Sequence, residues 1–99
     1  MALPDLKLSV NAAEIPLDKF TTSFISSLVK GMLGTLQGTE GTRETGIGIS
    51  GNKVNIELDG VPLPLNPFVS DIFRNTLEGA ISSLRGVSEI ENLKLQIRE

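Results

Sequence analysis

Residues 54–73 read VNIELDGVPLPLNPFVSDIF, and this stretch decides the predicted fold. Residues 6–25 read LKLSVNAAEIPLDKFTTSFI and align with it, without a gap, at an offset of 48 residues. Extended over 6–50 and 54–98, the alignment keeps apolar residues in the same phase, and seven positions are identical. The sequence therefore predicts one unit duplicated in tandem, and such a repeat determines the architecture. The identical pairs are Pro16/Pro64, Leu17/Leu65, Phe20/Phe68, Gly31/Gly79, Leu36/Leu84, Gly38/Gly86 and Ile49/Ile97.

Each copy opens with alternating apolar and polar residues, as in 54–59, which predicts a strand with one buried face and one solvated face. Asp59-Gly60 then gives a strong signal for a two-residue hairpin turn. The returning arm, 61–65, contains two prolines that cannot donate to a ladder. It is therefore predicted to be an edge or an extended lead-in. Asn11-Ala12 stands at the same place in the first copy and is a weaker turn signal.

A helix is predicted next in each copy, over 19–37 and 67–85. Asn66 is a good N-cap, and Pro67 suits the first helical position because its missing N–H costs nothing there. Asp18 serves as the cap in the first copy. Gly38 and Gly86 occupy the same position in the two copies, after the predicted helices. They are predicted to adopt the left-handed conformation that ends a helix.

The apolar residues cover about 220° of each predicted helix, whereas a helix that rests only on a sheet needs roughly 100° or somewhat more. The extra width is expected to face the other helix or a second subunit. Gly31 and Gly79 lie at one edge of this arc, and a mid-helix glycine costs about 1 kcal/mol relative to alanine. Their matched positions predict a close backbone approach, helix on helix.

A second strand closes each copy, over Gly46–Ser50 and Asn92–Arg98, with apolar residues again in alternation. Gly51-Asn52 joins the copies as a plausible two-residue turn. The preceding stretch 38–46 is small and polar, and it is predicted to be a mobile loop.

The order strand–helix–strand–strand–helix–strand predicts a two-layer α+β fold of the ferredoxin-like βαββαβ type, with a pseudo-two-fold axis. The first strands of the two copies would then lie side by side at the sheet centre. A rival arrangement places each hairpin arm beside its own strand, which gives six strands and exchanges the last strands between the copies. With 99 residues there is material for one core, so 1–99 is predicted to be a single domain of two repeats, 6–50 and 54–98.

The composition argues against several activities. The chain contains no cysteine and no histidine, which removes disulfides, thiol nucleophiles, imidazole bases and the usual zinc sites. The net charge is −3 and no basic cluster marks a nucleic-acid interface. No apolar run approaches the roughly 20 residues that span a bilayer, and the N-terminus lacks the pattern of a signal peptide. We expect a cytoplasmic protein without metal, cofactor, nucleic-acid or membrane partner.

Three groups of residues resemble parts of functional sites, and each has a simpler structural interpretation. Gly46–Gly51 matches the glycine spacing of dinucleotide loops, but a turn and a strand follow it, so a glycine-rich edge strand is the interpretation. The loop 38–46 lacks the lysine of a phosphate-binding loop. The carboxylate pairs Glu57/Asp59 and Glu89/Glu91 are interpreted as solvated charge. Cross-strand ion pairing with Glu57 is expected, and no catalytic residue is predicted.

The segment 58–69, LDGVPLPLNPFV, with the helix and short strand after it, resembles short uncharacterised bacterial proteins that carry a single strand–turn–Pro-Leu-Asn-x-Phe–helix–strand unit. The first copy fits this pattern less well, because Asp18-Lys19 replaces Asn66-Pro67. The resemblance implies that single units dimerise to close a core and that this chain is the fused version. It transfers no catalytic residue.

Two classes of function stay open at this point. The first is a non-catalytic interaction or assembly module, whose sheet edges or surplus helix surface meet a protein partner or another copy, as in a homodimer. The second is a small-ligand sensor, as ferredoxin-like regulatory domains often are.

Overall fold

The computed structural model describes residues 5–36, 41–84, 87 and 89–98. They form a small α+β structure with two helices and one six-stranded antiparallel sheet. Each element in the first half has a counterpart of the same length 48 residues later. In chain order the elements are β1 (Asp5–Val10), β2 (Ala13–Glu14), α1 (Lys19–Leu33), β3 (Glu44–Ser50), β4 (Lys53–Leu58), β5 (Val61–Pro62), α2 (Pro67–Ile81) and β6 (Asn92–Arg98).

The last strand of each half lies at the centre of the sheet, whose order is β2-β1-β6-β3-β4-β5. Ile47 of β3 pairs with Leu95 of β6, which is its counterpart at the offset of 48. Leu95 also pairs with Leu8 on its other side, and Ile47 with Ile56. Four buried side chains thus form one row across the four long strands.

The predicted ferredoxin-like order is wrong, because β6 and β3 separate the two first strands, β1 and β4. The turn at 51–52 fixes β4 beside β3, and the arm Val61–Pro62 pairs with the other side of β4. The arm covers the Glu57–Leu58 end of the edge along which β1 would have to pair. The sheet instead has the order of the rival arrangement, in which β1 pairs with β6 of the other half. The glycine-rich strand β3 is accordingly central and not at an edge.

The helix starts confirm the predicted caps. The Asp18 carboxylate accepts a hydrogen bond from the Thr21 N–H at 2.7 Å, and the Asn66 side chain accepts one from the Val69 N–H at 2.8 Å. Pro67 occupies the first turn of α2. These bonds satisfy N–H groups that have no partner within the helix.

Both helices end earlier than predicted, at Leu33 and Ile81, and Gly38 and Gly86 lie outside the described residues. Hydroxyl side chains and tighter turns donate hydrogen bonds to the last carbonyl groups of each helix. The Thr35 hydroxyl donates to the Met32 carbonyl at 2.7 Å, and the Ser82 hydroxyl donates to the Gly79 carbonyl at 2.9 Å. Side-chain bonds of this kind compete with continuation of the helix.

The two hairpin turns have the same backbone geometry, since all four central residues have positive φ. Their first side chains also hold the start of a central strand. The Asn11 Oδ1 accepts from the N–H groups of Glu91 and Asn92, at 2.8 and 3.1 Å. The Asp59 carboxylate accepts from the N–H groups of Arg43 and Glu44, at 3.0 and 2.7 Å. Each turn therefore holds the start of the central strand that belongs to the other half of the chain.

The core lies between one face of the sheet and the helices. Its aliphatic side chains come from the predicted inward phase of every long strand and from one stripe on each helix, with one buried phenylalanine. The buried apolar residues are Leu8, Val10, Ile25, Val29, Leu33, Ile47, Ile49, Ile56, Leu58, Phe73, Leu77, Ile81, Leu93, Leu95 and Ile97.

Candidate interaction surface

The side of α1 that faces away from the sheet carries two exposed aromatic residues. Phe20 is 76 % exposed and Phe24 is 50 % exposed. Their rings stack, with centroids 6.1 Å apart and planes inclined by 14°. Since Ile25, Val29 and Leu33 bind α1 to the sheet, the helical period directs the two phenylalanines outward.

The same arrangement recurs on α2, where Phe68 is 71 % exposed and Ile72 is 41 % exposed. These positions are the counterparts of Phe20 and Phe24. A small or polar residue and then a glycine follow at coiled-coil spacing in both helices. We call these two sets the outer stripes: Phe20, Phe24, Ser27 and Gly31 on α1, and Phe68, Ile72, Asn75 and Gly79 on α2.

The expected helix-on-helix approach at the glycines is wrong within this chain. A Cβ atom added to Gly31 or to Gly79 would meet nothing within 4 Å. Both residues are exposed, and Gly31 lies at an open groove between the helices. A mid-helix glycine costs about 1 kcal/mol relative to alanine, and no contact within the described residues offsets that cost.

A groove of about 500 Å³ separates the two helices on the outer side. Leu28 and Met32 of α1 and Leu36 just after it line one side of the groove, and Phe68 and Ile72 of α2 line the other. The end of α1 thus lies beside the start of α2, so the helices run antiparallel. At the opposite end of the helix pair, Thr76 and Ala80 replace Leu28 and Met32, and the corresponding surface is less apolar.

The outer flanks of the two helices differ in charge. Lys19 and Lys30 lie on the flank of α1 that faces away from α2, whereas Asp71 and Glu78 occupy the same flank of α2. Arg74 Nη2 lies 3.6 Å from Asp71, on the side of the helix nearer the sheet. Hydrogen bonding to Thr21 lowers the pKa of the Asp18 carboxyl from its ordinary value of 3.8, so the cap is charged at neutral pH.

The open face of the sheet is polar. A shallow depression of about 290 Å³ lies over Gly46, between Lys7 and Arg98 on one side and Glu57 on the other. The ion pair on this face joins Arg98 Nε to Glu44 at 3.2 Å, because Glu44 and not Glu57 is the register neighbour of Arg98. Both side chains are largely exposed, so the pair contributes little to stability.

Of the other candidate residues, Gly46 and Glu57 are register neighbours on adjacent strands. Gly46 and Gly48 belong to β3, which continues through the turn at 51–52 into β4. Glu57 lies on the open face, while the carboxylate of Asp59 is bonded to backbone N–H groups. The described part of the chain contains no group of three or more acidic side chains placed to hold a metal ion. Residues 38–40 of the predicted loop lie outside it.

No protein-family model matches this chain, and no curated protein or solved structure matches it. Among the described residues, no helix is long and apolar enough to cross a membrane. The resemblance of 58–69 to single-unit bacterial proteins therefore stays a hypothesis.

The sequence predicted that the apolar arc of each helix exceeds what a sheet covers, but it did not identify the uncovered residues. Phe20, Phe24, Phe68 and Ile72 belong to the apolar arcs, and the structure leaves them exposed. A signal was present, since all four lie at the edge of the arc that also carries the glycines.

Proposed function

We propose that this chain is a non-catalytic protein-interaction module, and that the outer stripes are its binding surface. The observation that supports this proposal is the exposure of four large apolar side chains on one side of the helical layer: Phe20, Phe24, Phe68 and Ile72. Clustered exposed apolar residues mark interaction sites, and aromatic residues are enriched at their centres.

The helical layer is a better candidate than the sheet edges. In the described part of the chain, the edges of the sheet are the two-residue strands Ala13–Glu14 and Val61–Pro62. Strands this short offer few hydrogen-bonding groups to an added strand, and Pro62 has no N–H to donate.

We further infer that the two halves are copies of one unit, fused so that they share one core. The equal element lengths at an offset of 48 support this inference, as does the pairing of Ile47 with its counterpart Leu95. In a dimer of separate units the same row would form across a two-fold axis. Fusion would leave the outer stripes of both copies side by side.

Site-specific photo-crosslinking in cells tests the proposed surface. A photoreactive amino acid replaces Ser27 or Asn75 within the outer stripes, and Asn55 on the open sheet face serves as the matched control. We expect protein adducts of defined mass at positions 27 and 75 and none at position 55. Absence of adducts at both stripe positions, or equal adducts at all three, would contradict the proposal.

The groove between the helices supports a second candidate, a small-ligand sensor. Its volume of about 500 Å³ lies in the usual range for ligand sites, about 300–1,000 Å³. Its lining is almost entirely apolar, so an apolar ligand is expected. Medium-chain fatty acids should then raise the midpoint of thermal unfolding, and Met32→Glu should abolish the shift. No shift with any apolar ligand of this size would exclude this candidate.

A further inference from the structure

We propose that the occupant of the helical layer is a second copy of this chain, docked face to face about a two-fold axis that runs parallel to the helices. This inference rests on the proposed function and names its partner. In the resulting homodimer, α1 of each copy would lie antiparallel on α2 of the other.

The shape of the layer is complementary to itself. Each outer stripe begins with a bulky residue, Phe20 or Phe68, and ends with an exposed glycine, Gly31 or Gly79. Because the helices run antiparallel, the bulky residues stand at two diagonal corners of the layer and the glycines at the other two. A copy turned over about an axis in the plane of the layer brings each phenylalanine onto a glycine. This contact would explain why both helices have a glycine with open space around it.

The area of the layer suits a small dimer. A helix of 15 residues is about 22 Å long and about 10 Å wide, so the pair has a flat footprint of roughly 450 Å². The accessible surface of a ridged layer is larger than its flat footprint. It therefore approaches the lower part of the usual range of buried interface area, which is centred at about 800 Å² per partner. We therefore expect a dissociation constant of about 10 μM, not a nanomolar one.

Two axes in the plane of the layer would place each phenylalanine on a glycine, one parallel to the helices and one across them. The charges on the helix flanks favour the axis parallel to the helices. An axis across the helices would bring α1 onto α1, with Lys19 of each copy near Lys30 of the other. An axis parallel to the helices brings the basic flank of α1 onto the acidic flank of α2. With Phe20 over Gly79 of the second copy, the antiparallel register places Lys19 beside Ala80, two residues from that copy's Glu78.

Sedimentation velocity over a concentration series, at low ionic strength, tests the dimer. The wild-type chain should change from monomer to dimer around 10 μM. Gly79→Leu should weaken dimerisation by about 30-fold or more, because the side chain fills the hollow that receives Phe20. The same substitution should raise the thermal stability of the monomer, since leucine is a better helix former and a Cβ atom at this position meets nothing within 4 Å. A loss of dimer together with a loss of monomer stability would contradict the assignment.

A charge exchange tests the axis. Lys19→Glu and Glu78→Lys should each weaken dimerisation by about 10-fold, and the double variant should return to within about 3-fold of wild type. Lys94→Glu on the open sheet face is the control and should leave the dissociation constant unchanged. Stronger dimerisation of Lys19→Glu would overturn this axis in favour of the one across the helices.

The two proposals fail in different ways. If the purified chain is a monomer at all concentrations while positions 27 and 75 still crosslink to another protein, the homodimer is wrong and the interaction module stands. If neither self-association nor specific adducts are found, both proposals fail.

Discussion

The two halves of the chain place their hairpin turns in the same conformation but with different residues. Asn11-Ala12 and Asp59-Gly60 all have positive φ, and only Gly60 adopts it without steric cost. The first half compensates with a side chain that also donates, since Asn11 Nδ2 bonds to the Glu89 carbonyl at 2.7 Å. The comparison shows that the sheet fixes the turn geometry, while the residues at each turn set how firmly it is held.

Substitution at the sheet centre should give the largest effect and should be the same in both halves. Ile47→Ala and Leu95→Ala each remove a buried side chain from the row of paired residues. Each should lower the free energy of unfolding by about 3 kcal/mol, through lost burial and a residual cavity. Urea denaturation measures this, and the exposed neighbour Lys94→Ala should stay within about 0.5 kcal/mol of wild type. A difference above about 2 kcal/mol between the two core variants would show that the halves do not share the core equally.

Removing the turn side chains should have a smaller effect. Asn11→Gly and Asp59→Gly keep the positive φ but delete the acceptors for the central strands, so each should cost about 1–2 kcal/mol. Asn11→Asp should also cost about 1 kcal/mol, because a carboxylate cannot donate to the Glu89 carbonyl, whereas Asp59→Asn should stay within about 0.5 kcal/mol. Urea denaturation of the four variants checks this order. Equal costs for the two amide–acid exchanges would contradict the different roles of the two turns.

The second turn residue gives a reciprocal prediction. Ala12→Gly should raise the free energy of unfolding by about 1 kcal/mol, because it relieves the steric cost of φ +67°. Gly60→Ala should lower it by a similar amount, about 1 kcal/mol, because it introduces the same cost at φ +81°. Thermal unfolding of the two variants, beside Ala13→Gly as a control outside the turn, measures both. If both variants lose stability, the strain at Ala12 is not real.

Local features could be predicted because short-range chemistry decides them. The inward phase of the strands, the caps at Asp18 and Asn66, and the extent of Asn92–Arg98 depend on neighbouring residues alone. The strand order could not be predicted in the same way. It depends on which edge of β4 is free, and the prolines of 61–65 leave open whether this arm pairs as an edge strand or forms only an extended lead-in. The predicted helix ends rest on the terminal glycines, whereas the hydroxyl groups of Thr35 and Ser82 bond to earlier carbonyl groups and the helices end before the glycines.

The exposed apolar surface of the helices was predicted only in part, for a geometric reason. The width of an apolar arc tells how much surface needs a partner, but not which third of it stays uncovered. That depends on the spacing of the helices, which the six-stranded sheet sets. With the helices held apart by a groove, the outer phenylalanines and the matched glycines face outward together.

The helix caps provide the smallest and most selective contrast between the halves, because Asp18 titrates and Asn66 does not. Hydrogen bonding to Thr21 lowers the pKa of Asp18 in the folded state below its ordinary value of 3.8. The charged cap therefore stabilises the fold above that value, and this stabilisation is lost as the pH falls through the lowered folded pKa.

Asp18→Asn should remove this contribution, so the stability difference between wild type and variant should change below about pH 4 and stay constant above about pH 5. Asn66→Asp should introduce the same dependence at α2. Thermal unfolding between about pH 2.5 and about pH 6 measures both, and parallel curves for wild type and Asp18→Asn would show that the cap charge does not stabilise α1.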